Sequence, residues 1–342
     1  MKKIGITDFK DSIRNILIIR RNNIGDMICA IPALRAIRRE LPLARITVLA
    51  GYLNSGIING SSFIDEVIVY KKGRGIYSNK YIGYWKLLRH RKERFDLAIA
   101  LKIGFSSTMS LITLISRARL RMGCTPEKWH PLQHCYNMPV NGYKKWNSML
   151  HVDALLEFIK VIGIENSVKD IRIETTSDAK NRVKGFFIEK NIGAGGNIIV
   201  FNISNNKTEN TWSAERFKET SDILAKQYKA TFIVTSVSQD RDKAVRLVKE
   251  INSNAVYFET PDVMDFAAIA EAAGLLICGE GGAMHVGSSV GTPTISLWGK
   301  NRTAKWTPLG EKQFVIKKGE HVNSILPGDI LEEVRKNNLL KK

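Results

Sequence analysis

Residues 16–50 read ILIIRRNNIGDMICAIPALRAIRRELPLARITVLA. The apolar run Ile16–Ile19, bounded by Arg14 and Arg20, has the pattern of a buried strand, and a polar loop from Arg21 to Asp26 follows it. From Met27 to Leu41 the apolar residues recur at helical spacing, with Ile28, Ile31, Leu34, Ile37 and Leu41 on one face. Pro32 falls in the first turns of that helix, where a missing N–H costs least. Ile46–Ala50 reads as a second strand. Strand, loop, helix and strand within about 35 residues make a unit that favours a parallel sheet.

The alternation continues outward. Further strands are expected at Glu66–Tyr70 and Leu97–Leu101, an irregular stretch from Arg117 to Lys145, and a helix over Asp153–Ile162. Asn166–Glu174 reads as a connection. After it come strand Asn197–Phe201, the polar loop Asn202–Trp212, and a helix with Ser213 as its N-cap. Strand Thr231–Thr235, a helix over Asp240–Ile251, strand Ala255–Phe258 and a helix over Asp262–Ala273 follow. Strand Leu275–Cys278 then ends in the turn Gly279–Gly282, before a short helix Ala283–Val290 and strand Thr294–Trp298. The fold class expected is α/β. Two doubly wound parallel sheets, residues 1–168 and 169–342, face a cleft, and ligands sit beyond the carboxyl ends of the strands. The C-terminal helix is free in this reading to pack back on the first domain.

The chain of 342 residues is 44% apolar and 25% charged, which excludes a mainly disordered protein. Its charge is lopsided. The formal net charge is +19, of which residues 1–150 carry +17 and residues 151–342 carry +2. The first half should therefore meet something anionic: nucleic acid, a phospholipid surface or a phosphorylated substrate. The segment Lys71–Arg94, with Tyr77, Tyr81, Tyr84 and Trp85 among its cations, suits the headgroup region of a membrane, although an exposed helix or a single-stranded nucleic-acid site has similar chemistry. No apolar run is long enough to span a bilayer, and the first residues lack the apolar core of a signal peptide. Cys29, Cys124, Cys135 and Cys278 form no CxxC pair and read as reduced thiols of a cytoplasmic protein.

Two places carry chemistry. Asp26, after Gly25 at the lip of the first sheet, serves either as a helix N-terminal residue or as a general base. Gly279-Glu280-Gly281-Gly282-Ala283-Met284-His285 places three glycines before a helix whose free N–H groups suit a phosphate or diphosphate, or else forms a tight strand-to-helix turn. Its spacing is neither a GxGxxG fingerprint nor a Walker loop. Glu280 there suits sugar hydroxyls. Lys207 is the one cation of the loop Asn202–Trp212, either solvated or on a diphosphate. Cys124, His130, His134 and Cys135 have no usual zinc spacing, and no metal site is expected.

Three segments in register resemble glycosyltransferase family 9, the ADP-heptose:lipopolysaccharide heptosyltransferase family. They are Ile16–Arg35, Trp212-Ser-Ala-Glu-Arg-Phe217, and Leu275–Trp306 with its Gly-Thr-Pro and terminal Trp. The resemblance implies a GT-B fold with two Rossmann-like domains, the first binding the acceptor and the second the nucleotide-sugar. It also implies inverting, metal-independent transfer with no cofactor beyond the co-substrate, most simply ADP-heptose. Asp26 matches the family's catalytic aspartate. Donor-binding positions are then Asn202, Lys207, Asn210, Glu280, Gly281, Gly282, Ala283, Met284 and His285; acceptor-binding positions are Arg20, Arg21, Asn23 and Gly25. Two positions depart from the family pattern: Glu280 stands where Asp is usual, and Asn210 where a lysine is usual, with Lys207, Lys300, Arg302 and Lys305 as other cations.

The expected partners are a nucleotide-sugar donor and an anionic glycolipid or oligosaccharide acceptor such as a lipopolysaccharide core. The basic half would sit at the cytoplasmic face of the inner membrane, and no nucleic acid is expected. Alternatives are a family member using another donor, a weakened nucleotide-sugar-binding homologue and, more remotely, a nucleic-acid-binding protein.

Overall fold

Six parallel strands form the first sheet of the computed structural model, which describes residues 12–70, 84, 94–165, 168–193, 196–300 and 303–341. They are β1 (Asn15–Arg20), β2 (Arg45–Gly51), β3 (Glu66–Tyr70), β4 (Leu97–Ala100), β5 (Leu120–Cys124) and β6 (Met138–Val140). Their spatial order is β3-β2-β1-β4-β5-β6. A second sheet holds β7 (Asn197–Asn202), β8 (Ala230–Ser236), β9 (Ala255–Glu259), β10 (Leu275–Gly279), β11 (Thr294–Trp298) and β12 (Gln313–Lys317), in the order β12-β11-β10-β7-β8-β9. The two orders are the same topology read from opposite edges. Each is doubly wound, as the sequence leads one to expect. The central strands are continuous apolar runs because both faces of a parallel sheet are covered by helices; Ile16 to Ile19 are all fully buried.

The winding direction reverses once in each sheet, between β1 and β4 and between β7 and β10. Adjacent strands there send their following loops to opposite faces and leave a crevice at their carboxyl ends. Asp26 lies in the connection after β1, and Gly281 in the connection after β10.

By compactness the chain divides into Met1–Ile171 with Ala304–Trp306, and Arg172–Thr303 with Thr307–Lys342. The C-terminal helix Pro327–Lys336 does not belong to the first unit. Its Ile330 and Val334 join the core built on Phe201, Phe217 and Phe232 of the second. The segment that does return to the first unit is Ala304–Trp306.

Three local expectations change. The helix expected from Met27 to Leu41 is two helices, Ile24–Ile28 and Ile31–Glu40. Pro32 is the cause: its ring clashes with the carbonyl four residues back, so one helix ends at Ile28 and another starts with Pro32 in its first turn. The stretch from Arg117 to Lys145 is not wholly irregular, since it contains β5 and β6. Gly123 and Pro139 hide these strands from propensity. Gly123 is required because a methyl there would meet the Tyr136 ring at 2.2 Å, and Pro139 is tolerated because β6 is an edge strand. The helix Ser177–Glu189, capped by Thr176, is unanticipated; it buries only Ala179 and Val183, too thin a stripe for a periodicity signal. Most of Lys71–Arg94 lies outside the described residues. Within it Tyr84 is described, and it is fully buried, its ring 4.2 Å from that of Tyr70 in the first unit's core. That tyrosine is a packing residue and not a membrane anchor.

Candidate active site

The first centre starts with a buried cation. Arg20, the last residue of β1, has no exposed surface. A guanidinium in that position must have its donors satisfied. Its Nε and Nη2 donate to the Asp26 carbonyl oxygen at 2.9 and 2.6 Å, and Nη1 donates to the Leu101 carbonyl oxygen at 2.9 Å. Nη2 also reaches Asp26 Oδ1 at 3.0 Å and His151 Nε2 at 2.9 Å. Burial lowers the proton affinity of Arg20, and the Asp26 carboxylate offsets part of that. The group stays charged, because arginine does not deprotonate in proteins.

The loop after β1 is pinned from the side. Asn54 Nδ2 donates to the carbonyl oxygens of Arg20 and Asn22, and its Oδ1 accepts from the Gly51 N–H. The carboxylate of Asp26 is thereby held with one oxygen on Arg20 and the other, Oδ2, 3.2 Å from Asn23 Nδ2. Its side chain is 12% exposed. Asp26 stands in the first turn of the helix Ile24–Ile28, as a helix N-terminal residue would, but its hydrogen bonds go to side chains and not to helix N–H groups. What remains is a fixed, reachable carboxylate at the switch point of the first sheet.

Two residues at this centre carry no signal in the sequence. Lys102 follows the end of β4, the strand next to β1, and donates from Nζ to the Phe105 carbonyl oxygen at 3.4 Å. Burial, the charge of Arg20 and that of Arg21 lower its proton affinity, while Asp26 and Cys124 raise it. His151 opens the helix His151–Lys160. Both are placed by strand order and packing, which no local pattern encodes. Cys29, close by, is buried, and its thiol is pushed up to about 12 by that burial; it is not a nucleophile at neutral pH.

Of the expected acceptor residues, Arg20 is an interior strut and offers nothing to a ligand. Gly25 is buried, Arg21 is half-buried, and Asn23 is exposed.

The second centre lies at the switch point of the second sheet. Glu280 follows β10; its N–H donates to the Leu297 carbonyl oxygen and its own carbonyl oxygen accepts from Asn205 Nδ2 at 2.6 Å. Its carboxylate accepts from Asn210 Nδ2. The two departures from the family pattern thus touch each other. Asn210 is fully buried, so it supports Glu280 rather than facing a ligand. Asn202 is also turned inward, with Nδ2 3.3 Å from Thr235 Oγ1. Met284 is fully buried and belongs to the core side of its helix, not to a ligand surface. His285 is buried as well. Gly281, Gly282 and Ala283 are half-buried and form the accessible helix tip, and Lys207 is exposed.

The glycines here do different work from that expected. Gly281 has extended backbone torsions open to any residue. A methyl at Gly279 would lie 2.4 Å from the Asn210 carbonyl oxygen, so this glycine admits the loop 205–210 rather than a ligand. Gly279→Ala should displace that loop and cost about 1–3 kcal/mol, read as a lower urea midpoint at unchanged slope.

The remaining candidates resolve into packing. Cys124 and Cys135 are buried, and the Cys124 thiol donates to the Lys102 carbonyl oxygen. His130 caps the turn Pro131–Cys135 through Nδ1, which accepts from the Leu132 N–H. Lys305 donates to Asn147 Oδ1 within the first unit, Lys300 is exposed, and Arg302 lies outside the described residues.

Comparison with known proteins adds the chemistry that such centres serve. The model of glycosyltransferase family 9 (heptosyltransferase) matches residues 84–325. The lipopolysaccharide core heptosyltransferase OpsX of Haemophilus influenzae is 21% identical over 316 residues, covering 90% of this chain and 85% of that protein. Among solved structures, a glycosyl transferase family 9 protein from Veillonella parvula has a TM-score of 0.82 at 19% identity, covering 94% of this chain and 96% of its own. The ADP-heptose lps heptosyltransferase II of E. coli has a TM-score of 0.76 at 20% identity, covering 95% and 98%. These structures share the fold of two Rossmann-like sheets.

Proposed function

Since this chain belongs to glycosyltransferase family 9 and is a transferase of heptosyltransferase type, we propose that it moves heptose from ADP-heptose to an anionic lipopolysaccharide-core acceptor. The observation that carries the reading is Asp26: a reachable carboxylate, fixed from two sides, at the carboxyl edge of a doubly wound sheet. In the proposed reaction an acceptor hydroxyl oxygen attacks the anomeric carbon. Asp26 takes the hydroxyl proton as the new bond forms, and the nucleoside diphosphate leaves with the bonding electrons, inverting the carbon. The N-terminal unit holds the acceptor and the C-terminal unit the donor. N–H groups at Gly281–Ala283 and the ammonium of Lys207 stabilise the departing diphosphate. Glu280, braced by Asn210, accepts from donor hydroxyls. Arg21, in the same loop as Asp26, and Lys102, whose ammonium feels the Asp26 charge, suit phosphate or carboxylate groups on the acceptor.

No helix among the described residues is long and apolar enough to cross a membrane. The basic N-terminal half is the part that meets the anionic inner-membrane surface in this reading, with the enzyme peripheral on its cytoplasmic side. The charge of +17 over residues 1–150 supports that placement.

One observation favours a second reading. Asn210 and Glu280 put a neutral amide and a carboxylate where the family resemblance implies a lysine and a shorter acid, which suits a different nucleotide-sugar. A thermal-shift screen of ADP-, UDP- and GDP-sugars decides between them. ADP-heptose at 100 times its dissociation constant should stabilise the protein by about 2.7 kcal/mol. A shift with a UDP- or GDP-sugar and none with ADP-heptose transfers the assignment to the second reading.

A further inference from the structure

We infer that His151 is a positioning residue for the base: its Nε2 accepts a hydrogen bond from Arg20 Nη2, fixes the guanidinium, and through it holds the Asp26 carboxylate. The inference rests on the reading of Asp26 as general base.

A guanidinium has only donors. A 2.9 Å contact between Arg20 Nη2 and His151 Nε2 therefore requires a lone pair on Nε2, which puts the ring proton on Nδ1 and leaves the imidazole neutral. A protonated ring would set two N–H groups against each other. His151 does not act on the carboxylate directly, since Nε2 is 3.8 Å from Asp26 Oδ1, beyond hydrogen-bond reach. It acts through the hydrogens of Nη2. One is taken by His151, and the other is shared between the carbonyl oxygen and Oδ1 of Asp26. Without the histidine acceptor one buried N–H of the planar fork is left unpaired, and a shift of the fork toward another acceptor loosens the Nη2 contact to Oδ1.

The ring is itself held. Its face packs on Trp306, with centroids 4.3 Å apart and planes at 33°. The neighbouring Lys305 donates to Asn147 Oδ1, in the turn just before the helix that His151 opens. Trp306 and Lys305 belong to Ala304–Trp306, the short piece of the C-terminal half that is part of the first unit. One returning segment thus orients the histidine, the histidine orients the arginine, and the arginine orients the aspartate.

The test compares His151→Phe, which keeps a ring for Trp306 but offers no acceptor, with His151→Gln, whose amide oxygen can accept. Nitrogen NMR of the wild type should show Nδ1 protonated and Nε2 bare. The two Nη signals of Arg20 should be resolved in the wild type and in His151→Gln, and merged by rotation in His151→Phe. With the donor selected by the nucleotide-sugar screen, turnover of His151→Phe should fall by about 10²-fold at unchanged donor KM, the effect of a base misplaced by a fraction of an ångström to 1 Å. His151→Gln should recover most of that loss. A proton on Nε2 in the wild type, or resolved Arg20 signals together with wild-type turnover in His151→Phe, overturns the inference. If His151→Phe fails to fold, the wild-type tautomer and the His151→Gln spectrum still decide it. An active Asp26→Asn enzyme would sink the base reading instead, while the Arg20 signals report the contact independently.

Discussion

Asp26→Asn should reduce sugar transfer by about 10²–10⁴-fold while leaving nucleotide-sugar binding unchanged. The amide has nearly the shape of the carboxylate, and its oxygen can still accept from Arg20 Nη2, so the loop after β1 keeps its geometry. What it loses is the capacity to take a proton from the attacking hydroxyl. The amide removes the charge partner of the buried Arg20, so the variant should also lose stability, and unfolding is measured beside the kinetics to keep the two effects apart. In the folded variant the loss of turnover should fall on the chemical step. Single-turnover kinetics with saturating donor measure the step, and calorimetry of donor binding provides the control. Turnover comparable with that of the wild type would remove the base from the mechanism.

Arg20→Leu should be the most destabilising single substitution at this centre. Leucine restores apolar volume but supplies none of the donors. The Leu101 carbonyl oxygen and His151 Nε2 would lose a partner in a buried position, and the carbonyl oxygen and Oδ1 of Asp26 in a half-buried one. Removing one member of a buried pair costs about 3–5 kcal/mol, because the group left behind keeps its desolvation penalty. Urea unfolding followed by probes in each unit should place the loss in the first. The second unit has its own core around Phe201, Phe217 and Phe232 and makes no use of Arg20. Arg20→Lys should recover part of the loss, since a single ammonium cannot reproduce a planar fork directed at two backbone carbonyls. A stability change within about 1 kcal/mol for Arg20→Leu would mean that these oxygens find other donors.

The two substitutions separate roles that sequence reading merged. Arg20 and Asp26 stand six residues apart in one loop motif, and both were expected to face a ligand. Only Asp26 does. The same holds in the second unit, where Asn210, Met284 and His285 were expected on the donor surface and are interior, and Asn202 and Glu280 are buried to the same degree as each other. Residue type marks a position as polar, but it does not mark the direction in which the side chain points.

What the sequence alone determined is what local chemistry encodes. The runs that became β1, β2, β7 and β10 are apolar because both sheet faces are covered, and Ser213 and Asp262 cap helices through their own side chains. The order of strands, loops and helices made two doubly wound sheets legible, and the motif around Gly25-Asp26 put an acidic residue in the connection after β1, where the structure has it. Only the tertiary structure decided which groups meet at it. Arg20 finds Leu101 across 81 residues and His151 across 131, and Asn210 finds Glu280 across 70. The first and the last follow from β4 lying beside β1 and β10 beside β7, and the meeting with His151 from the helix His151–Lys160 packing against Ile31–Glu40. Strand adjacency is set by the burial of whole sheet faces, a sum over many distant contacts, so no short window of sequence can carry it.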